Sequence, residues 1–226
     1  LWAVAAAFSV STAIAQETPL RSLAVDPATG FATAVRVDDR ALAHTSQLLP
    51  VDAAGDMVAA GDAAAQTRAL LQQLSKTLAA AGGDTSGLVK LNVYLANDDV
   101  AATVREALRE NLGENVHPAI SFVSGTLAKE GVLVALDAVT ALPGAGPNTI
   151  RHHLLTKEGQ ARPADVSILP RGGVVYISGQ AEPGDDLAQC TRKTLASLQR
   201  TLEFLGLQRE NVVQFKSFLD PMSEAA

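Results

Sequence analysis

The chain has 226 residues, 47% of them hydrophobic and 19% charged, with a net charge of −6. That composition can bury a core and excludes a disordered chain, and the acidity argues against a phosphate backbone as the main partner. A single cysteine, Cys190, excludes an internal disulfide and a cysteine-based zinc cage; in a helical pattern it reads as an unreactive helix thiol.

The first 15 residues, LWAVAAAFSVSTAIA, form an uncharged apolar run. It is short for a membrane span but matches the apolar part of a secretory signal, and Ala13-Ile14-Ala15 supplies a small-x-small cleavage pattern before Gln16. Residues 1–16 are therefore read as part of a signal peptide that begins upstream, and the mature protein as periplasmic or secreted, with no membrane contact after cleavage.

An opening strand is expected at LRSLAVD, and another at LAHTSQLLPV (42–51) running into a polar turn. Ala64, Thr67, Leu71, Leu74, Leu78 and Ala81 recur at three- and four-residue steps and predict an amphipathic helix stopped by Gly82-Gly83. LVKLNVYL follows, alternating Val89, Leu91, Val93 and Leu95 against Lys90, Asn92 and Tyr94, which predicts a strand. Val100, Val104, Leu108 and Leu112 mark a second helix, with Asp98-Asp99 favourable at its positive end. AISFVSG and GVLVALDAVTA predict two more strands, and LPGAGPNT (142–149) a linker.

The pattern then recurs. AQTRALLQQLSKTLAAAGGDTSGLVKLNVYLAN (65–97) aligns without a gap to QCTRKTLASLQRTLEFLGLQRENVVQFKSFLDP (189–221). Leu71 falls on Leu195, Leu78 on Leu202, Gly82 on Gly206 and Val89 on Val213, and the second apolar row is Ala188, Thr191, Leu195, Leu198, Leu202 and Leu205. VVYISGQAEP (174–183) matches the strand-turn at 42–51, and IRHHLLT matches the opening strand. A register shared across helix, turn and strand predicts an internal repeat. The expected organisation is a first domain at 17–141, a linker at 142–149 and an incomplete second domain at 150–226.

This ordered set resembles the Rid family of reactive-intermediate deaminases, the YjgF-like or L-PSP-endoribonuclease-like proteins. TSQLLPV and ISGQAEP are similar to its T-S-G-Q-x-P-V segment, GLVKLNVYLAND to its h-V-K-x-x-V-Y-L-x-D strand, HPAISFVSG to its P-A-R segment, and VLVALDAVTA to its last strand. The resemblance implies an α+β fold, a chorismate-mutase-like mixed sheet backed by two helices, repeated in tandem. It also implies three domains packed around an axis with ligand clefts between them, hence self-association. In active members an arginine clamps the substrate carboxylate, a task suited to its planar fork, and a glutamate on the last strand helps water attack an imine carbon and release ammonia.

Carried over by position, the arginine becomes Ile120, which has no donor, and the glutamate becomes Asp137. Ser46 keeps the serine of the first T-S-G segment, and Ser178 and Gln180 keep theirs in the second copy. Asp137 is thus the candidate catalytic acid, and Ser46, Ile120, His117, Ser178 and Gln180 line the expected ligand site. A substitute cleft of His117, Asp137 and Ser46 is the sharper alternative. Asp137 also stands in an otherwise apolar strand, where a lone acid is costly unless paired; pairing with a Lys or Arg across a domain interface is the structural alternative. His152 and His153 point to opposite faces of a strand and make a poor metal pair. No nucleotide-loop or zinc-protease motif occurs, so no cofactor or metal is expected. The expected function is small-molecule binding of the imine/enamine deaminase (hydrolase) class, with the first domain degenerate at Ile120. A non-catalytic binding or assembly protein is the rival, and a nucleic-acid role is not expected.

Overall fold

The structure is a computed structural model that describes residues 20–218, apart from 53, 128, 156–163, 176, 178 and 179. The proposed signal run and Ser178 lie outside the described residues. Eight strands form one mixed sheet in the order β1-β2-β5-β4-β6-β3-β8-β7. They are β1 (Arg21–Val25), β2 (Ala32–Arg36), β3 (Leu42–Thr45), β4 (Leu88–Leu95), β5 (Ala119–Ser124), β6 (Val134–Ala141), β7 (Arg151–His153) and β8 (Val166–Leu169). The β2/β5 and β4/β5 pairs are parallel and the others antiparallel.

Helices α1 (Ala63–Ala80) and α2 (Ala101–Asn111) cover one face of this sheet. Asp62 caps α1 by accepting from the Ala65 amide, and Asn97 caps the 3-10 turn Asp98–Val100 that leads into α2. Leu70, Leu71, Leu74 and Leu78 of α1 and Val104 and Leu108 of α2 pack on Leu91, Val93, Leu95, Val134, Leu136 and Ala138. The buried face of α1 is wider than its leucine row, because it also takes in Gln66 and Leu70. Gln66 is fully buried; its amide donates to the Gly131 carbonyl at 2.9 Å and its oxygen accepts from the Leu133 amide at 2.8 Å. It pins the loop that leads into β6.

Two details depart from the expected strand pattern. In β4 the register against β6 shifts between Leu88 and Lys90, so Leu88 rather than Val89 joins the core. An extra residue in one strand of an antiparallel pair produces that shift. From Lys90 onward strict alternation returns, with Lys90, Asn92 and Tyr94 half-buried on the face away from the helices. In β3 the strand ends at Thr45, and the chain to Asp62 touches other strands or itself through isolated bridges at Leu48/Leu136 and Val51/Met57.

Beyond the linker, β8 pairs with β3 and extends the sheet, and β7 closes its edge. Helix α3 (Leu187–Phe204) shares features with α1: 18 residues, an aspartate cap (Asp186), a following glycine at positive φ (Gly206), then a 3-10 turn. Unlike α1, it buries none of its residues. The described parts of 174–183 and 212–218, both expected as strands, are not strands. A strand needs a neighbour's free edge, and among the described residues no strand pairs with these segments as β6 pairs with β3.

Candidate functional site

The face of the sheet away from α1 and α2 carries the polar residues. Its centre is Asp137 on β6, 2% exposed. Burying a carboxylate is costly unless it is paired and hydrogen-bonded, and here both oxygens are supplied. The Asn92 amide donates to Oδ1 at 2.8 Å and the Tyr94 hydroxyl to Oδ2 at 2.6 Å. The third partner comes from the chain after α3: Lys216 Nζ donates to Oδ1 at 2.9 Å. Asn92 and Tyr94 are there because β4 lies beside β6 with Asn92 directly opposite Asp137. Burial raises the Tyr94 phenol well above its ordinary value, and the Asp137 carboxylate adds to this, so Tyr94 stays a donor.

The segment at 212–218 crosses this face. The Gln214 amide donates to the Thr45 carbonyl at 3.0 Å, Lys216 reaches Asp137, and the Phe218 ring lies tilted against Tyr94 at 6.4 Å between centroids. His44 on β3 is 4% exposed, opposite Val139, and so on the same face as Asp137. Among the described residues neither of its ring nitrogens has a hydrogen-bond partner of good geometry. Burial holds the imidazole below its ordinary 6.5; the neighbouring Gln214 side chain opposes this, Lys216 reinforces it, and Asp137 opposes it. Lys90 donates to the Ser121 hydroxyl at 2.6 Å. Burial, and secondarily the Lys216 charge, favours its neutral amine, with Asp137 opposing.

Of the expected site residues that the structure describes, Ile120 and His117 stand apart from Asp137. Ile120 pairs with Leu91 and packs against the helix-side core, so it faces away from Asp137. Of the β5 residues that share the face of Asp137, Ser121 is the one opposite Asn92. The next core-facing residue of β5, Phe122, lies under Arg105 of α2, whose guanidinium carbon is 3.8 Å from the ring centroid. His117 lies by the β1/β2 hairpin, where Nδ1 meets the Gly30 carbonyl at 2.8 Å and its own carbonyl accepts from Ser22. Ser46 follows β3 directly, and its amide donates to the Asp165 carbonyl at 2.8 Å. Gln180 leans on α3, its amide donating to Thr201 at 3.3 Å. His152 is bonded to Ser167 at 2.8 Å. Among the described residues no group of three or more His, Cys, Asp or Glu is gathered for a metal.

The pairing expected of a buried acid is present, with Lys216 on Asp137. Lys216 was the residue missing from the sequence reading. Its signal lay in the repeat alignment, which sets Lys216 on Asn92, a residue of the polar row that flanks Asp137.

A mixed sheet with two helices on one face and a buried acid on the other defines a small α+β fold. A family model described as Endoribonuclease L-PSP matches residues 21–142, more than half of the chain, and the chain belongs to this family, the Rid or YjgF proteins. It is 28% identical over 113 residues to the 3-aminoacrylate deaminase RutC of Acinetobacter baylyi, covering 50% of this chain and 87% of that protein. A RutC family protein of Pyrococcus horikoshii is 29% identical over 91 residues, covering 40% and 71%. Among solved structures, a Rid-family protein of unknown function from Yersinia pestis superposes with a TM-score of 0.50 at 25% identity, covering 55% of this chain and all of that one.

Proposed function

We propose that this is an exported, tandem Rid-type protein of the imine/enamine deaminase class that holds a small organic ligand between domains. Its first unit is no longer competent toward carboxylate-bearing imines. One observation carries the second point: both oxygens of Asp137 are occupied by Asn92, Tyr94 and Lys216. A general base must reach the proton it takes, and this carboxylate is engaged by the chain itself. The position of the carboxylate-clamping arginine, Ile120, is apolar and packed on the helix side. The matched helix caps and turns of α1 and α3 support the tandem reading, and the likeness to a 3-aminoacrylate deaminase supports the reaction class. Export rests on the apolar N-terminal run alone.

The test is ammonia release from an α-imino acid generated in situ, comparing the wild type with Asp137→Ala. The expected result is an unchanged rate, whether or not the wild type exceeds the uncatalysed background. A clear loss of rate in Asp137→Ala would show that the first unit is a working deaminase.

A further inference from the structure

The 212–218 segment is tied to the sheet through side chains, and a buried imidazole lies beside the ties. Gln214 donates to the Thr45 carbonyl, Lys216 to Asp137, and Phe218 rests against Tyr94. In the repeat register these residues hold the places of Lys90, Asn92 and Tyr94, so a polar row of the second copy meets the matching row of the first. His44 immediately precedes Thr45 on β3. It is 4% exposed, and among the described residues neither ring nitrogen has a partner. A neutral ring there already forgoes its hydrogen bonds. A protonated ring would carry two donors and a full charge, which is far more costly to bury.

The neighbours give that proton little compensation. On β6, Asp137 already takes three donors. On the crossing segment, Lys216 is itself a cation. On β8, Ser167 lies directly opposite His44 and is bonded to His152 of β7. On β4, the cation Lys90 continues the same row beyond Val139. A protonated His44 therefore either repels Lys216 or replaces it on Asp137, and both undo the tie. The two sides of the contact differ in strength. Strand β3 is bonded on both edges, to β6 and β8, whereas among the described residues no strand pairs with 212–218. The segment is the side that gives way.

We propose that His44 is an acid-sensitive latch: one proton on its ring releases the 212–218 segment from the sheet and frees Asp137 from Lys216. Burial, the largest influence on the ring, disfavours its charged form. The released state thus binds the proton more readily than the closed one. The latch is shut above the ordinary histidine value of 6.5 and opens as the pH falls below it. This does not rest on the reaction class of the protein.

Spin labelling tests it. The label is placed on Ser217→Cys in the full chain with Cys190→Ser, since Ser217 is exposed and Cys190 is the native thiol. Electron paramagnetic resonance separates the held from the mobile label, and far-UV circular dichroism confirms that the fold persists at each pH. At about pH 7.5 the held form should dominate, and below about pH 6.5 the held-to-mobile ratio should fall by up to about tenfold per pH unit. His44→Gln, or His44→Asn if the first variant does not fold, should abolish that fall. A ratio that stays constant while the fold persists, or an equal fall in the folded His44 variant, would overturn the proposal.

Discussion

At the scale of single residues, the helix-free face is a set of polar groups whose costs are met unequally. Asp137 has three donors, whereas His44, on the neighbouring strand β3, has no partner of good geometry among the described residues. Burial keeps His44 neutral in the fold, below its ordinary 6.5. The sign of its pH effect follows from linkage. Above about 6.5 both folded and unfolded chains hold a neutral ring, and His44 contributes no penalty. As the pH falls below that value the unfolded chain takes up a proton that the fold resists, so stability is lost on the acid side. The charged groups facing the ring, Lys216 and Asp137, act in opposite directions. Thermal midpoints of wild type and His44→Gln measured between about pH 7.5 and pH 5.5 check this. The wild type should lose more stability over that span than the variant; parallel curves would mean that His44 titrates as it does in the unfolded chain.

At the scale of elements, the helices were the most legible parts. The three- and four-residue spacing of Leu71, Leu74 and Leu78 predicts α1, and Leu74 and Leu78 are fully buried. Leu74→Ala should cost about 2–5 kcal/mol in denaturant unfolding, as truncation in a packed core does. What the leucine row could not reveal is Gln66, because its burial serves the backbone at 131 and 133, far away in sequence. Strands were less legible. The bulge at Val89 depends on its pairing with β6, and β8 is four consecutive buried residues without alternation. The segments at 174–183 and 212–218 carry strand patterns, but no strand pairs with them among the described residues. Of the site, Asp137 stood out as an acid among apolar residues, while its partner Lys216 is 79 positions away and only the repeat pointed to it. Turns carry their own constraint. A Cβ on Gly87 would lie 2.3 Å from the Ala141 carbonyl oxygen and 2.9 Å from Thr140 Oγ1. Gly87→Ala should therefore force β6 away from the turn before β4 and destabilise the fold by about 1–3 kcal/mol, measurable in the same unfolding experiment.

At the scale of the molecule, the two halves are unequally covered. The sheet runs on from β3 to β8, and the segment after α3 returns to Asp137, yet α3 itself is bare. Leu195, Leu205, Phe204 and Phe215 stay exposed, Phe204 at 90%. Apolar surface gathered in this way favours association. In sedimentation velocity the full chain should run larger than a monomer, and Phe204→Ser with Phe215→Ser should shift it toward the monomer; a wild type that stays monomeric at high concentration would contradict this. The tie between Lys216 and Asp137 is what joins the far end of the chain to the site, and it is the reason for reading the acid as structural. A double-mutant cycle in urea unfolding with Asp137→Asn, Lys216→Met and the pair measures it most directly. Lys216 keeps a 32% exposed side chain, so water softens its loss of partner. A coupling of about 0.5–3 kcal/mol is predicted, the range for residues in one network. A coupling indistinguishable from zero would mean that Lys216 does not hold the carboxylate, and would contradict the reading of Asp137 as tied to the segment after α3.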